Sequence, residues 1–577
     1  MSEEAVAIPT TADVPTPRST RAFIGHAKII GALTLASRVL GLVREMVAAH
    51  FLGAQNPVAI AFTFAFAIPN LFRKLFGEGA LSAAFIPLYA QSVKHESPEQ
   101  ANRFAAASVN LLVAILLTIT LVGEAVLATM LWFTETQRLD RLLTIQFTMI
   151  MLPYVLLICS GAFLSGILQV HHRFAAPAAA PIILNVCHII VLWLGAWFLG
   201  LKAQSNTPET LAIQTRLAYW LAFFVLVAGA LQVVVLLPGL RAVGFRFQLI
   251  RSFWTPMVKR MLKLTVPVAL SAGVLQLSVL LDKGISILLM QGEGFAGEAI
   301  THFNFFGHAV RYPMELGAIV RLGNAQMMYQ FPLGIFAIAL ATAIFPALSA
   351  NAKEGDRVRF REVMRHGIET TLWEGLPASL GLILVAHPAA MLLFRHGQMS
   401  THDAELIARS LMFYSAGIWA FSLQLIVNRA YYALHDTTTP LVMSIVTLIV
   451  NLAVEIPLLW TRLGESGMAA GTTASFAIQS VIMLYMLNRR IGGLELSKSL
   501  IPIGKMLLAT FAMGGACWWL KNSHWHPVGA TRFVWAMQLT QLVVVGAGIY
   551  FLMSAILGIG LLERVRKRKM ENGKWKM

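Results

Sequence analysis

"SRVLGLVREMVAAH" (residues 37–50) closes an apolar run that begins near residue 28, yet it carries Arg38, Arg44 and Glu45. A charge at the centre of a bilayer costs about 2.5–3.5 kcal/mol on insertion scales, so a lipid-facing helix would not keep three of them. Arg38 and Glu45 are seven residues apart and share one helix face, with Arg44 about 120° around from Arg38 at 3.6 residues per turn. The stretch reads as one wall of a polar cavity inside a bundle of membrane helices.

The rest of the chain agrees. Of its 577 residues, 57% are hydrophobic and only 13% are charged, and the mean hydropathy is +0.68. A soluble protein carries about 25% charged residues. Apolar stretches of about 20 residues, enough to cross the hydrocarbon core, recur from end to end. In lipid they must be helices, because each backbone polar group has to be satisfied within its own segment. The expectation is an all-α polytopic membrane protein with fourteen spans between residues 28 and 560.

The loops orient these spans. With the N-terminus inside, about 31 of the 45 Lys and Arg fall in or beside cytoplasmic segments. The densest sets are Arg241–Lys263, Lys353–Arg365 and "ERVRKRK" at 563–569. This is the positive-inside pattern, and an even number of spans returns the C-terminus to the cytoplasm. The net charge of +17 is therefore a topology signal and an attraction to anionic lipid. It does not indicate a nucleic-acid partner. Residues 1–27 are polar, contain Pro9, Pro15 and Pro17, and lack a signal-peptide pattern. They read as a disordered cytoplasmic tail. Cys159, Cys187 and Cys517 are far apart in apolar segments and read as small buried residues, with no metal spacing.

The chain also repeats itself. "AFIPLYAQ" (84–91) resembles "AIFPALSA" (343–350), and "RFAAPAAAPIILN" (173–185) parallels "DTTTPLVMSIVTLIVN" (436–451). Pro69/Pro332 and Pro177/Pro440 are each 263 residues apart. Six spans separate the copies, so both have the same membrane orientation, an arrangement used by transporters. The expected layout is a tail (1–27), an N-lobe of spans 1–6 (28–240) and a basic cytoplasmic linker forming an amphipathic helix (241–263). A C-lobe of spans 7–12 (264–490), spans 13–14 (491–560) and a basic tail (561–577) follow. Pro69 and Pro332 lie inside the second helix of each lobe. Proline removes a backbone hydrogen bond there and kinks the helix, so both are candidate hinges.

Further charges fall in the same layer. Span 7 carries Asp282 and Lys283, and span 2 ends with Arg73, Lys74 and Glu78. The first and second helices of each lobe would then line a cavity between the lobes. Its excess of Arg and Lys favours an anionic cargo, and the planar guanidinium fork suits phosphate.

"SRVLGLVRE" (37–45), "IPNLFRKLFGEGALSAAFIPLYAQ" (68–91), "LSGILQVHHRFAAPAAAPIILN" (164–185) and "YYALHDTTTP" (431–440) resemble the MurJ/MviN family of the MOP superfamily. Its members are bacterial flippases for lipid II, the lipid-linked peptidoglycan precursor. The resemblance covers about 28–560. It implies a multi-pass protein of the bacterial cytoplasmic membrane, active in peptidoglycan synthesis, cell-wall biogenesis and cell shape. It also implies that Arg38 and Arg44 sit near the cargo's diphosphate, that Glu45 and Arg73 face the same cavity, and that spans 13 and 14 form a groove for the polyprenyl tail. The sequence departs from the family pattern twice. The acid early in span 2 falls at Ile60, and the arginine of span 8 falls at Met327, with Arg321 the nearest arginine. Lys283 or Arg321 is the expected substitute for the missing positive charge.

The expected mechanism is alternating access: the head group enters from the cytoplasm, pairs with Arg38, Arg44 and Lys283, and leaves outside while the tail stays in lipid. No cofactor is expected; coupling to membrane potential or to an ion is. Lipid II or a related polyprenyl-diphosphate lipid, membrane lipids and cell-wall synthesis proteins are the candidate partners. Two alternatives stay open, an exporter of another polyprenyl-diphosphate glycan and a diverged paralogue without transport. The absence of DxD and HExxH motifs and of a large polar outer loop argues against a membrane enzyme.

Overall fold

Helix starts follow local chemistry. Asn56-Pro57, Thr207-Pro208 and Thr255-Pro256 each open a helix: the polar side chain accepts a backbone N–H of the first turn, and proline fills the first helical position, where no N–H is needed. The computed structural model describes residues 17–559 except 76–79, 134–137, 202–206, 249, 251–252, 296, 336 and 525–530.

The N-lobe comprises α1 (Pro17–Leu52), α2 (Pro57–Phe72), α3 (Ala80–His95), α4 (Pro98–Phe133), α5 (Leu139–Met151), α6 (Tyr154–Val170), α7 (Ala175–Phe198) and α8 (Pro208–Ala242). The C-lobe comprises α9 (Pro256–Leu289), α10 (Ala318–Ile335), α11 (Ala337–Lys353), α12 (Arg357–Phe394), α13 (Thr401–Ala416), α14 (Ile418–Ala433), α15 (Thr438–Leu459) and α16 (Ser466–Arg490). α17 (Leu500–His524) and α18 (Arg532–Ile556) pack on each other and on α12.

Eleven of the expected spans each fall on one of these helices, and three fall on the pairs α5–α6, α10–α11 and α13–α14. Among the described residues, ten helices are long and apolar enough to cross a membrane, twelve when each of two bent pairs counts as one span. α1 and α9, expected as spans 1 and 7, are not among them, so the count of fourteen remains an expectation. Residues 17–27, expected as disordered tail, are the first turns of α1. The basic linker is not a separate amphipathic helix: α8 ends at Ala242 and residues 256–263 already belong to α9. Residues 1–16 and the basic tail lie outside the described residues.

The repeat is visible in the backbone. α5 and α6 meet at 43°, and so do α13 and α14, their counterparts. His172 and His435, 263 residues apart, both adopt φ +58°. In the two turns Arg173 N–H donates to Leu168 O and Asp436 N–H to Tyr431 O, each at 2.9 Å. Burial pushes the Asp436 carboxyl up, but hydrogen bonds from Thr439 and Arg490 more than offset it and hold it below its ordinary value. Pro69 and Pro332 lie three residues before the ends of α2 and α10, where each long helix breaks.

Between α9 and α10 the chain makes two small antiparallel hairpins, β1 (Gly292–Glu293) with β2 (Ala299–Ile300) and β3 (His302–Phe305) with β4 (His308–Arg311). They mark one end of the bundle, the hairpin end, together with the loops around residues 53–56, 395–400 and 460–465. The opposite, basic end carries Lys353–Arg365 and Arg489–Arg490. Exposed Trp132, Phe133, Trp197 and Phe198 suit a membrane interface.

α9 does not sit wholly in one lobe. It packs on α3 of the N-lobe and on α15 of the C-lobe. Within the C-lobe, α15 and α16 touch through Gly467 and Gly471, four residues apart, the spacing that lets membrane helices approach closely. A Cβ on Gly471 would lie 2.7 Å from Glu455 Cβ and 2.9 Å from its Cα. Gly471→Ala is expected to force the helices apart and cost about 1–3 kcal/mol. Thermal unfolding in detergent reads this as a lowered Tm, and an unchanged Tm refutes the contact.

Candidate functional site

A cavity of about 1100 Å³ lies between the lobes, lined chiefly by α1, α2 and α7 on one side and α9 and α10 on the other. α1 turns two faces to different surroundings. Leu35, Val39 and Val43 are exposed on the outside of the bundle, while Arg38, Gly41, Arg44 and Glu45 line the cavity. The charge pattern of the opening stretch thus matches a helix placed between lipid and a polar interior. Arg73, Lys74 and Lys283 line the same space. Among the described residues, five basic side chains and one carboxylate face the cavity.

Arg44 pairs with the adjacent Glu45 and lies over the Phe66 ring, 5.4 Å from its centroid. Arg73 Nε donates to Asn70 Oδ1 at 2.9 Å. Lys283 is within electrostatic reach of Glu45 across the cavity, and of Lys74 and Asp282. Arg38 reaches from the N-lobe to the C-lobe, where its Nη1 donates to Gln330 O at 3.5 Å. Its guanidinium lies over Gly334, and a Cβ there would sit 1.7 Å from Nη1. Gln330 and Gly334 flank the candidate hinge Pro332, so a cavity arginine rests on the kinked part of α10.

Two expectations change. Arg321 is not in the cavity. It is fully buried at the hairpin end, donating to Glu465 Oε1 at 2.9 Å, Asp403 Oδ1 at 2.9 Å and Leu316 O at 2.9 Å. Arg321 lies six residues before Met327, about 9 Å along the helix axis, so it cannot stand in for a cavity arginine at that position. Met327 itself reaches the cavity, its Cε close to Gly41 of α1. Asp282 turns from the main cavity into the C-lobe, where Asn451 Nδ2 donates to Asp282 Oδ1 at 3.3 Å and to Glu455 Oε2 at 2.9 Å. Glu78 lies outside the described residues. Ile60 is buried in the core.

Glu455 is a site residue that the sequence reading passed over. The signal was present: a lone acid inside the apolar "NLAVEIPLL" (451–459). The Asp282 and Glu455 carboxylates converge on the Asn451 amide nitrogen, while the Asn451 amide oxygen accepts from Ser475 Oγ at 3.4 Å. No group of three or more His, Cys, Asp or Glu that could hold a metal occurs among the described residues.

The lobes are tied at the hairpin end. Gln55 Nε2 donates to Asp403 Oδ1 at 3.2 Å, and Gln398 N–H donates to His50 O at 3.0 Å. Arg138 pairs with Asp140 and donates to Met290 O, at 3.3 Å, and to the Tyr312 hydroxyl, at 3.3 Å. The cavity is closed on that side by hydrogen bonds between the lobes. Arg321→Met would strip Asp403 and Glu465 of their buried counter-charge, at a cost of about 3–5 kcal/mol. A large fall in Tm is expected, and a variant as stable as the parent would remove this cluster from the structural account.

Comparison with known proteins gives a consistent result. The family model for lipid II flippase MurJ matches residues 48–539. A probable lipid II flippase MurJ of Rhizobium tropici is 31% identical over 554 residues, covering 94% of this chain and 96% of the relative. A lipid II flippase MurJ of Burkholderia cenocepacia is 28% identical over 543 residues, covering 92% and 96%. Among solved structures, an inward closed conformation of lipid II flippase MurJ superposes with TM-score 0.70 at 21% identity, covering 92% of this chain and 99% of that one. An inward-facing multidrug resistance MATE transporter of the MOP superfamily gives TM-score 0.60 at 13% identity, covering 81% and 99%. The two structural matches speak for the fold.

Proposed function

The chain belongs to the lipid II flippase MurJ family, a family of transporters rather than enzymes, and from that premise we propose how its own residues move lipid II across a bacterial inner membrane. The observation that carries the proposal is the cavity between the lobes, where, among the described residues, Arg38, Arg44 and Lys283 meet one carboxylate, Glu45. Such a surplus of cations away from bulk water attracts an anion, and guanidinium groups bind a diphosphate through paired, charge-assisted hydrogen bonds.

Arg38 and Arg44 take the diphosphate, with Lys283 facing them from α9 and Arg73 and Lys74 at the broken end of α2. Glu45 holds Arg44 in place before cargo arrives. The polyprenyl tail stays in lipid along α17 and α18. The basic end faces the cytoplasm, as the positive-inside pattern favours, and both chain termini lie there. Cargo enters from that side while the hairpin end is shut.

Arg38 links binding to movement. Without cargo its guanidinium rests on Gln330 O and Gly334 beside Pro332. A diphosphate is a far stronger acceptor than a carbonyl at 3.5 Å. Binding therefore lifts Arg38 from α10 and frees the two lobes to separate. A membrane potential negative inside favours outward movement of anionic charge by about 2.3 kcal/mol per charge per 100 mV. The Asp282–Asn451–Glu455 cluster, one helix layer behind Lys283, is the seat for a coupling proton or cation.

Complementation of a flippase-depleted bacterium, read as the fraction of lipid II facing inward, tests the proposal. The parent chain restores growth and clears inward-facing lipid II. Arg44→Ala is expected to lose at least about tenfold in flipping, the worth of one charge-assisted hydrogen bond, with the folded protein still present in the membrane. Full activity of that variant sinks the binding role. Gly334→Ala should evict the Arg38 guanidinium, a flexible group, and slow flipping several-fold with little change in Tm. A rate equal to the parent's would detach Arg38 from the movement of α10.

A further inference from the structure

The hairpin end closes on a pair of histidines. His50, in the last turn of α1, and His396, in the loop before α13, bring their Nδ1 atoms to 3.2 Å across the boundary between the lobes. The backbone enforces the meeting. Gly397 has φ +61°, and a Cβ there would lie 2.2 Å from His50 O and 2.5 Å from its Nδ1. Gly53 has φ +72° and packs on Gln398, whose N–H donates to His50 O. Both positions need glycine for the left-handed backbone, and Gly397 needs it for the close approach as well. The rings are pressed together by contacts that do not depend on the rings themselves.

Hydrogen bonds fix where the protons sit. His396 Nε2 is 2.8 Å from Leu393 O, which can only accept, so Nε2 carries the hydrogen. Neutral His396 then offers a bare Nδ1, and neutral His50 donates its Nδ1–H to it. One added proton is tolerated: His396 becomes a double donor, and His50 switches tautomer to accept. A second proton puts an N–H on each side of the 3.2 Å gap, two cations with no acceptor between them. The surroundings add positive charge rather than remove it. Arg532, at the start of α18, acts on both rings, and Arg395 adjoins His396. On α13, Asp403 is engaged by Arg321, Gln55 and Ser400, and Glu405 acts on His387. α7 presents the Trp193 ring, stacked on His50.

We propose that the His50–His396 pair is a proton-operated latch of the hairpin end, holding the lobes together until both rings are imidazolium and then forcing them apart. This rests on the alternating-access reading above, in which the hairpin end is the outer gate, and it adds an input that bypasses the cavity. The protons come from the outer aqueous phase. By linkage, the open state, with the rings apart, binds one proton more than the closed state. Opening therefore gains as pH falls below about 6.5, the ordinary histidine value, by up to about tenfold per pH unit. At about pH 8 both rings are neutral and the latch holds.

Spin labels on the full chain in lipid nanodiscs test the latch. Glu209→Cys on α8 and Arg462→Cys after α15, both exposed positions, place one label on each lobe at the hairpin end, with Cys159, Cys187 and Cys517 replaced by alanine. Pulsed electron spin resonance reads the distance between them. Between about pH 7.5 and about pH 5 the open-to-closed ratio is expected to rise at least about tenfold. His50→Asn and His396→Asn keep a hydrogen-bonding side chain but cannot become cations, and each should stay closed at both pH values. The short distance they retain also shows that they are folded. His402→Asn removes a histidine that pairs with Glu315 inside the C-lobe and should respond as the parent does. A parent whose distances ignore pH, a response that survives in either His50→Asn or His396→Asn, or either of these variants open at every pH overturns the latch. A parent that flips lipid II with distances blind to pH overturns the latch alone. A parent that flips none overturns the flippase reading and the latch with it.

Discussion

Hydrocarbon does not solvate charge, and most of this molecule's architecture follows from where its intramembrane charges are put. Two solutions coexist. In one, ionised groups are surrounded by their own partners. Arg321 is saturated by Asp403, Glu465 and a backbone carbonyl, and Arg138 is held by Asp140 and the end of α9. In the other, Arg38, Arg44, Arg73, Lys74 and Lys283 share a cavity with one carboxylate. The first kind needs nothing from outside the chain and fixes the packing of the hairpin end. The second kind lines a space that water or an anion can enter.

The internal repeat shows which features belong to the skeleton and which to the work done on it. The two lobes share bent helix pairs at the same angle, left-handed histidines in equivalent turns and prolines ahead of equivalent helix breaks. Asp140 and Asp403 are also 263 residues apart, each at the start of the first helix of a bent pair and each paired with an arginine. Those correspondences are structural. The cavity is where the lobes part company: Asn324 and Gln330 of α10 stand where α2 has Ala61 and Ala67. Function has accumulated where the symmetry is broken.

Much of this was legible in the sequence because it depends on short-range periodicity and on the cost of exposing charge to lipid. Apolar run length located the helices. The spacing of Arg38, Arg44 and Glu45 gave a cavity face, and the 263-residue offset gave the lobes. The failures share a physical cause. Sequence gives a residue's angle around a helix better than its surroundings at a given depth. Arg321 and Met327 lie on one helix, yet the first is buried in an ion cluster at the hairpin end and the second faces α1. Asp282 and Lys283 are neighbours that diverge by about 100°, so one enters the C-lobe and the other the cavity. Glu455 escaped because its partners, Asp282 and Asn451, come from another helix and from the preceding turn. The hairpins between α9 and α10 are too short to leave a pattern of alternation.

A flippase has to make cargo binding and lobe movement one event, because a ligand shifts a conformational equilibrium only by its differential affinity for the two states. A cavity that merely held a diphosphate would bind it equally well in every arrangement of the lobes and move nothing. In the proposed mechanism Arg38 supplies the difference. It starts on one lobe and ends on the other, at the carbonyl and the glycine that flank the proline of α10. Its charge can serve the protein or the cargo, not both at full strength. The absence of a side chain at Gly334 lets the guanidinium lie on the helix, and the weakness of its contact with Gln330 lets it leave. On this proposal cargo competes for a group that connects the lobes, and the arginines that looked out of place in an apolar helix couple the substrate to the fold.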